Sequence, residues 1–86
     1  MRHFLLMSTS GCHLCEEAVG LLVAGLDPLR HSVDEVDIAY DDDLMARYAV
    51  RIPVLVDEVS GEELGWPFDM LELRSFVGSF EDESAH

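Results

Sequence analysis

The sequence has 86 residues, with 18 Asp and Glu against 5 Arg and no Lys, for a formal charge of −13. At 49% hydrophobic residues it is too apolar for a disordered chain, and its few scattered cations argue against nucleic acid or an anionic membrane as partner. What remains is one small domain, burying about 60% of the surface its unfolded chain exposes and serving as a small soluble enzyme, an electron carrier or an adaptor.

Arg2–Ser8 opens with Phe4-Leu5-Leu6-Met7, an apolar run too short for a helix, which reads as a buried central strand. Ser8-Thr9-Ser10-Gly11 breaks it. Leu14, Ala18, Leu21, Leu22, Gly25, Leu26 and Leu29 then recur at helical spacing, with Glu16 and Glu17 near the helix start, where the dipole favours negative charge. Gly20 and Gly25 lower helix propensity and suit close packing of this helix on a sheet. Asp27-Pro28 ends it or kinks its last turn. Val33–Ile38 reads as a second strand, and Asp41-Asp42-Asp43 as caps for a short helix over Leu44–Ala49, with Leu44 and Tyr48 inward. Tyr40 reads as core edge. Ile52-Pro53-Val54-Leu55-Val56 is a β-branched strand with proline at its entrance. Ser60-Gly61 marks a turn and Glu62–Trp66 a return strand, so this stretch forms a hairpin. Pro67 sits where a helix takes its first residue, ahead of the helical pattern Met70, Leu71, Leu73, Phe76, Val77, Phe80.

The element order is β-α-β-α-β-β-α: an α/β mixed four-stranded sheet with three helices. Residues 1–80 make a single domain and 81–86 a short acidic tail that frays. The longest apolar stretch, Ala18 to Leu26, is about half of what a membrane span needs. Phe4–Met7 is too short for a secretory core and no lipidation motif stands at either end, so the expected location is cytoplasmic.

Two cysteines, Cys12 and Cys15, fall where the first strand hands over to the first helix. A disulfide between residues three apart closes almost no loop and adds little chain-entropy stabilisation, so stability is not its reason. At a helix start, unpaired backbone N–H groups and the dipole favour a thiolate at Cys12. Cys15, one turn on, faces the same way and reaches its sulfur. That arrangement suits two-step exchange, in which Cys12 attacks and Cys15 resolves the mixed disulfide. Two other readings stay open: a buried, inert pair, and two ligands of a metal or iron–sulfur site shared across a dimer. Structural zinc wants four ligands, however, and no second C-x-x-C or His pair supplies them. His13, inside the pair, either favours the thiolate as imidazolium or simply points to solvent. Trp66 is either core or a contact. Asp41–Asp43 reads as a solvated cap rather than a cation site.

The wording Gly11-Cys12-His13-Leu14-Cys15, then Val50-Arg51-Ile52-Pro53-Val54-Leu55, then Leu64-Gly65-Trp66-Pro67-Phe68-Asp69 is similar to a group of small bacterial glutaredoxin-like proteins of the thioredoxin-fold superfamily. The resemblance covers about residues 3–80. It implies a thioredoxin-like, glutaredoxin-type fold and a dithiol–disulfide oxidoreductase. In that reading Cys12 is the nucleophile, Cys15 the resolving thiol and His13 its modulator. Pro53 matches the proline that takes the cis form beside the active site, leaving the Ile52 N–H and C=O for an extended substrate. Arg47 and Arg51 are candidates for a carboxylate, Asp69 for an amine, and Trp66 for the substrate groove. No bound cofactor and no metal are implied. Glutathione is one possible reductant and another thioredoxin-type donor the alternative, because Arg51-Ile52-Pro53 and Gly65-Trp66 depart from the family's glutathione-clasping residues. The partner is a protein disulfide or a reductase, and the chain is expected to be a monomer. The competing function is a non-catalytic binding module on the same scaffold.

Overall fold

A computed structural model of the chain describes residues 2–84, with side chains over 2–80. Its strands are β1 (Arg2–Ser8), β2 (His31–Asp37), β3 (Val54–Asp57) and β4 (Glu63–Gly65), and its helices α1 (His13–Gly25), α2 (Asp42–Tyr48) and α3 (Met70–Ser84), with a 3₁₀ turn over Ile38–Tyr40. The sheet order is β2-β1-β3-β4. β1 runs parallel to β2 and antiparallel to β3, and β4 is antiparallel to β3. This is the mixed four-stranded sheet with three helices that the sequence predicts.

β1 is central and buried on both faces, as its continuous apolar run requires. Phe4 and Leu6 join α1 and α3 in one core with Ala18, Leu22, Leu55, Phe68, Leu73, Val77 and Phe80. Met7 lies in the second core with Ile38, Tyr48, Val54 and Val56. Asp41 caps α2, its carboxylate accepting the N–H groups of Asp43 and Leu44.

Several local readings change. Tyr40 is exposed, whereas Tyr48 is buried. Gly25 faces α3 rather than the sheet: a Cβ there would stand 2.7 Å from Met70 Sδ and 2.9 Å from Leu73 Cδ2, while Gly20 meets nothing. Pro67 is not the first helical residue. Asp69 caps α3 instead, its Oδ1 accepting Glu72 N–H at 2.8 Å, so the helix begins at Met70. That helix runs through Ser84, into the acidic stretch expected to fray as a tail; residues 85 and 86 lie outside the described residues.

At the far end of β1 and β3, Asp57 is fully buried. It takes two hydrogen bonds from Arg2, Nε at 2.8 Å and an Nη at 2.6 Å, and one from Ser60 N–H at 2.9 Å. The Arg2 guanidinium also lies over the Phe80 ring, 4.4 Å from its centroid, which ties the first strand to the last helix. Burial works to raise the Asp57 pKa, but the hydrogen bonds from Arg2 and Ser60, with the Arg2 charge, outweigh it and hold the carboxyl below its ordinary value. A carboxylate with a depressed pKa stabilises the fold above the ordinary range, and that stabilisation is lost as pH falls through the folded value. Breaking a fully buried pair costs about 3–5 kcal/mol. Arg2 keeps partial solvent access and Asn retains an acceptor, so Asp57→Asn is expected to cost about 2–3 kcal/mol in urea unfolding at neutral pH. The difference from the unsubstituted protein should shrink as pH drops below about 4.

Candidate functional site

The sheet register brings the site together. Met7 pairs with Val54 across β1 and β3, and Val54 with Gly65 across β3 and β4. The end of β1, the entrance of β3 and the end of β4 therefore share one edge of the sheet. Cys12 follows β1 there, Ile52-Pro53 precedes β3, and Trp66 follows β4. Trp66 N–H donates to the Pro53 carbonyl at 3.1 Å and fixes the last two to each other.

Gly11, with φ of 75°, turns the chain between β1 and α1, in a backbone region open to glycine and strained for other residues. Cys12 is the N-cap of α1, and its Sγ accepts the Cys15 N–H at 3.2 Å. Sulfur stands here where a Ser or Asp oxygen usually caps a helix. The same hydrogen bond strengthens when the sulfur carries negative charge. Cys12 and Cys15 are joined in a disulfide with Cα atoms 5.2 Å apart. Cys15 is only 2% exposed and Cys12 half-buried, so an incoming group meets Cys12 first. Both cysteines line a cavity of about 360 Å³ with Thr9, Glu16, Val19 and Glu35.

The other candidate residues are placed as follows. The His13 side chain is 86% exposed, with Nδ1 3.7 Å from the Glu16 carboxylate; it faces solvent and an acid. The Ile52–Pro53 bond is cis, as is Trp66–Pro67. Ile52 N–H does not stand open to a substrate: it donates to the Tyr48 carbonyl at 3.0 Å, because the turn leaving α2 uses it. The Ile52 carbonyl is what remains for that contact. Pro53 itself is fully buried. Trp66 packs on the core and meets Phe68 edge-on, centroids 5.1 Å apart. Asp69 is committed to its helix cap.

Arg51 turns away from the dithiol cavity. It donates to Glu63 at 2.7 Å, lies over the Tyr48 ring, and lines a separate cavity with Arg47. Tyr48 also donates its hydroxyl to Glu63. Burial and then that hydrogen bond push the Tyr48 pKa up, while the bonds from Tyr48 and Arg51 hold the Glu63 carboxyl down.

Sequence reading missed Glu35. Ser8, buried at the end of β1, donates to its carboxylate at 2.9 Å and holds it in the wall of the dithiol cavity. Alternation along β2 was the available signal, since Glu35 shares the α1-facing side with Val33. Among the described residues no group of three or more His, Cys, Asp or Glu gathers to hold a metal ion. No helix among them is long and apolar enough to cross a membrane.

Cys12 in the reduced protein is expected to react with iodoacetamide at neutral pH faster than free cysteine, because the helix start favours its thiolate. Glu16→Gln, which removes a carboxylate one turn from the sulfur, should raise the rate about two- to fivefold, the size of one exposed charge.

The sequence profile of the glutaredoxin-like domain (DUF836) matches residues 3–78. Two solved structures of the Northeast Structural Genomics target protein XcR50 from X. campestris are similar to the chain. The X-ray structure is 36% identical, covers 88% of this chain and 96% of its own, and superposes with a TM-score of 0.78. The solution structure is 35% identical, covers 92% and 95%, and gives 0.76. No curated protein matches significantly. The chain belongs to the glutaredoxin-like domain family and has its thioredoxin-type fold.

Proposed function

We propose that this member of the glutaredoxin-like family is a thiol–disulfide oxidoreductase acting on protein disulfides. The observation that carries the reading is the Cys12 sulfur capping α1, hydrogen-bonded by the Cys15 N–H and bonded to the Cys15 sulfur. A solely structural disulfide spanning three residues contributes little stability, whereas a dithiol at a helix start is arranged to be made and broken.

In the reduced protein the Cys12 thiolate attacks one sulfur of a substrate disulfide. A Cys12–substrate disulfide forms, and the other substrate sulfur leaves as a thiolate and takes a proton. Cys15 then loses its proton and attacks the Cys12 sulfur. The second substrate thiolate departs, and two electrons have passed to the substrate, leaving the Cys12–Cys15 disulfide. A cytosolic reductant, glutathione or a thioredoxin-type donor, returns the pair to dithiol. The exposed edge of Cys12 and the Ile52 carbonyl are the groups offered to substrate. With Arg51, Trp66 and Asp69 each engaged within the fold, support for glutathione is weaker than support for a protein partner. The charge of −13 works in the same direction, since it repels the anionic tripeptide and attracts basic surfaces.

Cys15→Ser prevents resolution, so a mixed disulfide on Cys12 should accumulate, and mass spectrometry of the trapped species identifies the substrate. Recovery of protein adducts supports this reading, and absence of any adduct contradicts it. Added salt should speed exchange with glutathione disulfide and slow exchange with a basic protein disulfide.

A further inference from the structure

β2 lies at one end of the sheet order, and among the described residues no strand covers its outer edge. Its side chains alternate, and Val33 and Glu35 face α1. Between them and Val19, Val23 and Leu26 opens an apolar groove of about 370 Å³, with Leu6 at its side. That is room for a large aliphatic side chain. The groove is continuous with the dithiol cavity: Val19 and Glu35 line both. An extended chain lying along β2 therefore reaches Cys12 without crossing a helix.

The chemistry of the occupant follows from charge. Asp34 and Glu35 are exposed on β2, and Glu16 stands on the dithiol cavity's rim. Ser8 fixes the Glu35 carboxylate where the two cavities meet. A second copy of the chain pairing along β2 would set these acids against their own equivalents, which is destabilising across paired strands. When alternate side chains of a segment fill the groove, the intervening ones lie on the opposite face of the strand with Asp34, so Lys or Arg there complements its charge.

We propose that the outer edge of β2 and the α1–β2 groove bind an extended substrate segment alternating aliphatic and basic side chains, which delivers its disulfide to Cys12. The main-chain groups add a strand to the sheet, and an aliphatic side chain fills the groove. This names the substrate class of the same dithiol and rests on the oxidoreductase reading.

The test is binding of a short fluorescent peptide alternating Leu and Lys, with Ser in place of its cysteine, to the oxidised protein, followed by anisotropy and by amide NMR shifts. The expected shifts fall on β2 and α1. Replacing the peptide's Leu residues by Ser should weaken binding about tenfold, the worth of an aliphatic group in an apolar pocket. Replacing Lys by Glu should abolish it. Val23→Asn, at a side chain 78% exposed and therefore unlinked to core packing, should weaken the Leu peptide and leave the Ser peptide unaffected. Asp34→Asn, on the face of β2 opposite the groove, where the peptide's Lys side chains lie, should weaken the Lys peptide. Equal affinity for Leu and Ser peptides, shifts on the α2–β4 side, or self-association lost in Val23→Asn each overturn the proposal. Reduction of hydroxyethyl disulfide by the unsubstituted protein is measured separately. Peptide binding on β2 without that turnover leaves the groove standing and the redox reading failed; turnover without peptide binding does the reverse.

Discussion

The parallel pairing of β1 with β2 is the constraint from which the site follows. Two parallel neighbours cannot be joined by a tight turn, so the chain must cross over through a helix and return to the starting edge. The start of that helix is then held at the exit of the central strand. Whatever residues stand in the loop between them are presented there, next to unpaired backbone N–H groups. Here they are Gly11 and Cys12. β3, running antiparallel to β1, brings its entrance to the same end of the sheet, so Ile52-Pro53 lies at the end that carries the loop. The opposite edge carries the buried Arg2–Asp57 pair. It clamps β1 to β3 at the end away from the chemistry, and the redox edge is left free of that task.

Electrostatically the site is a balance between a local and a global field. The backbone of α1 offers Cys12 a positive environment within one turn, through a hydrogen bond of 3.2 Å. Glu16 and Glu35 line the same cavity and oppose it locally, while the overall charge opposes it over longer distances, where salt screens it. In the proposed function the helix start supports the Cys12 thiolate, and the long-range field bears on which partners approach. The charge of −13 that argues against nucleic acid also fits the proposed preference for basic partners.

The element order was legible because each element carries its own local signal. Phe4–Met7 is too short and apolar to be anything but a buried strand, α1 and α3 show helical spacing, and Ser60-Gly61 marks the hairpin. The dithiol was legible for the same reason, since its motif and its place at a strand–helix junction are both local. What was not legible depends on contacts distant in sequence. Asp69 reads equally as a ligand for an amine or as a cap until the first turn of α3 is seen. Arg51 looks available until Glu63 arrives from β4, about 40 Å along an extended chain. Ile52 N–H looks open until the turn after α2 claims it. Glu35 joins the dithiol only because β2 lies beside β1 in a register that sets it near Ser8.

The central claim is that the Cys12–Cys15 bond is a working redox couple and not a staple. Its reduction potential, measured by equilibrating the protein in graded dithiothreitol and glutathione buffers and counting free thiols, tests this most directly. A working couple is expected between the potentials of disulfide isomerases and thioredoxins, about −180 to −270 mV. A value below about −300 mV, where structural disulfides resist reduction, or a failure to equilibrate with either buffer, would contradict it.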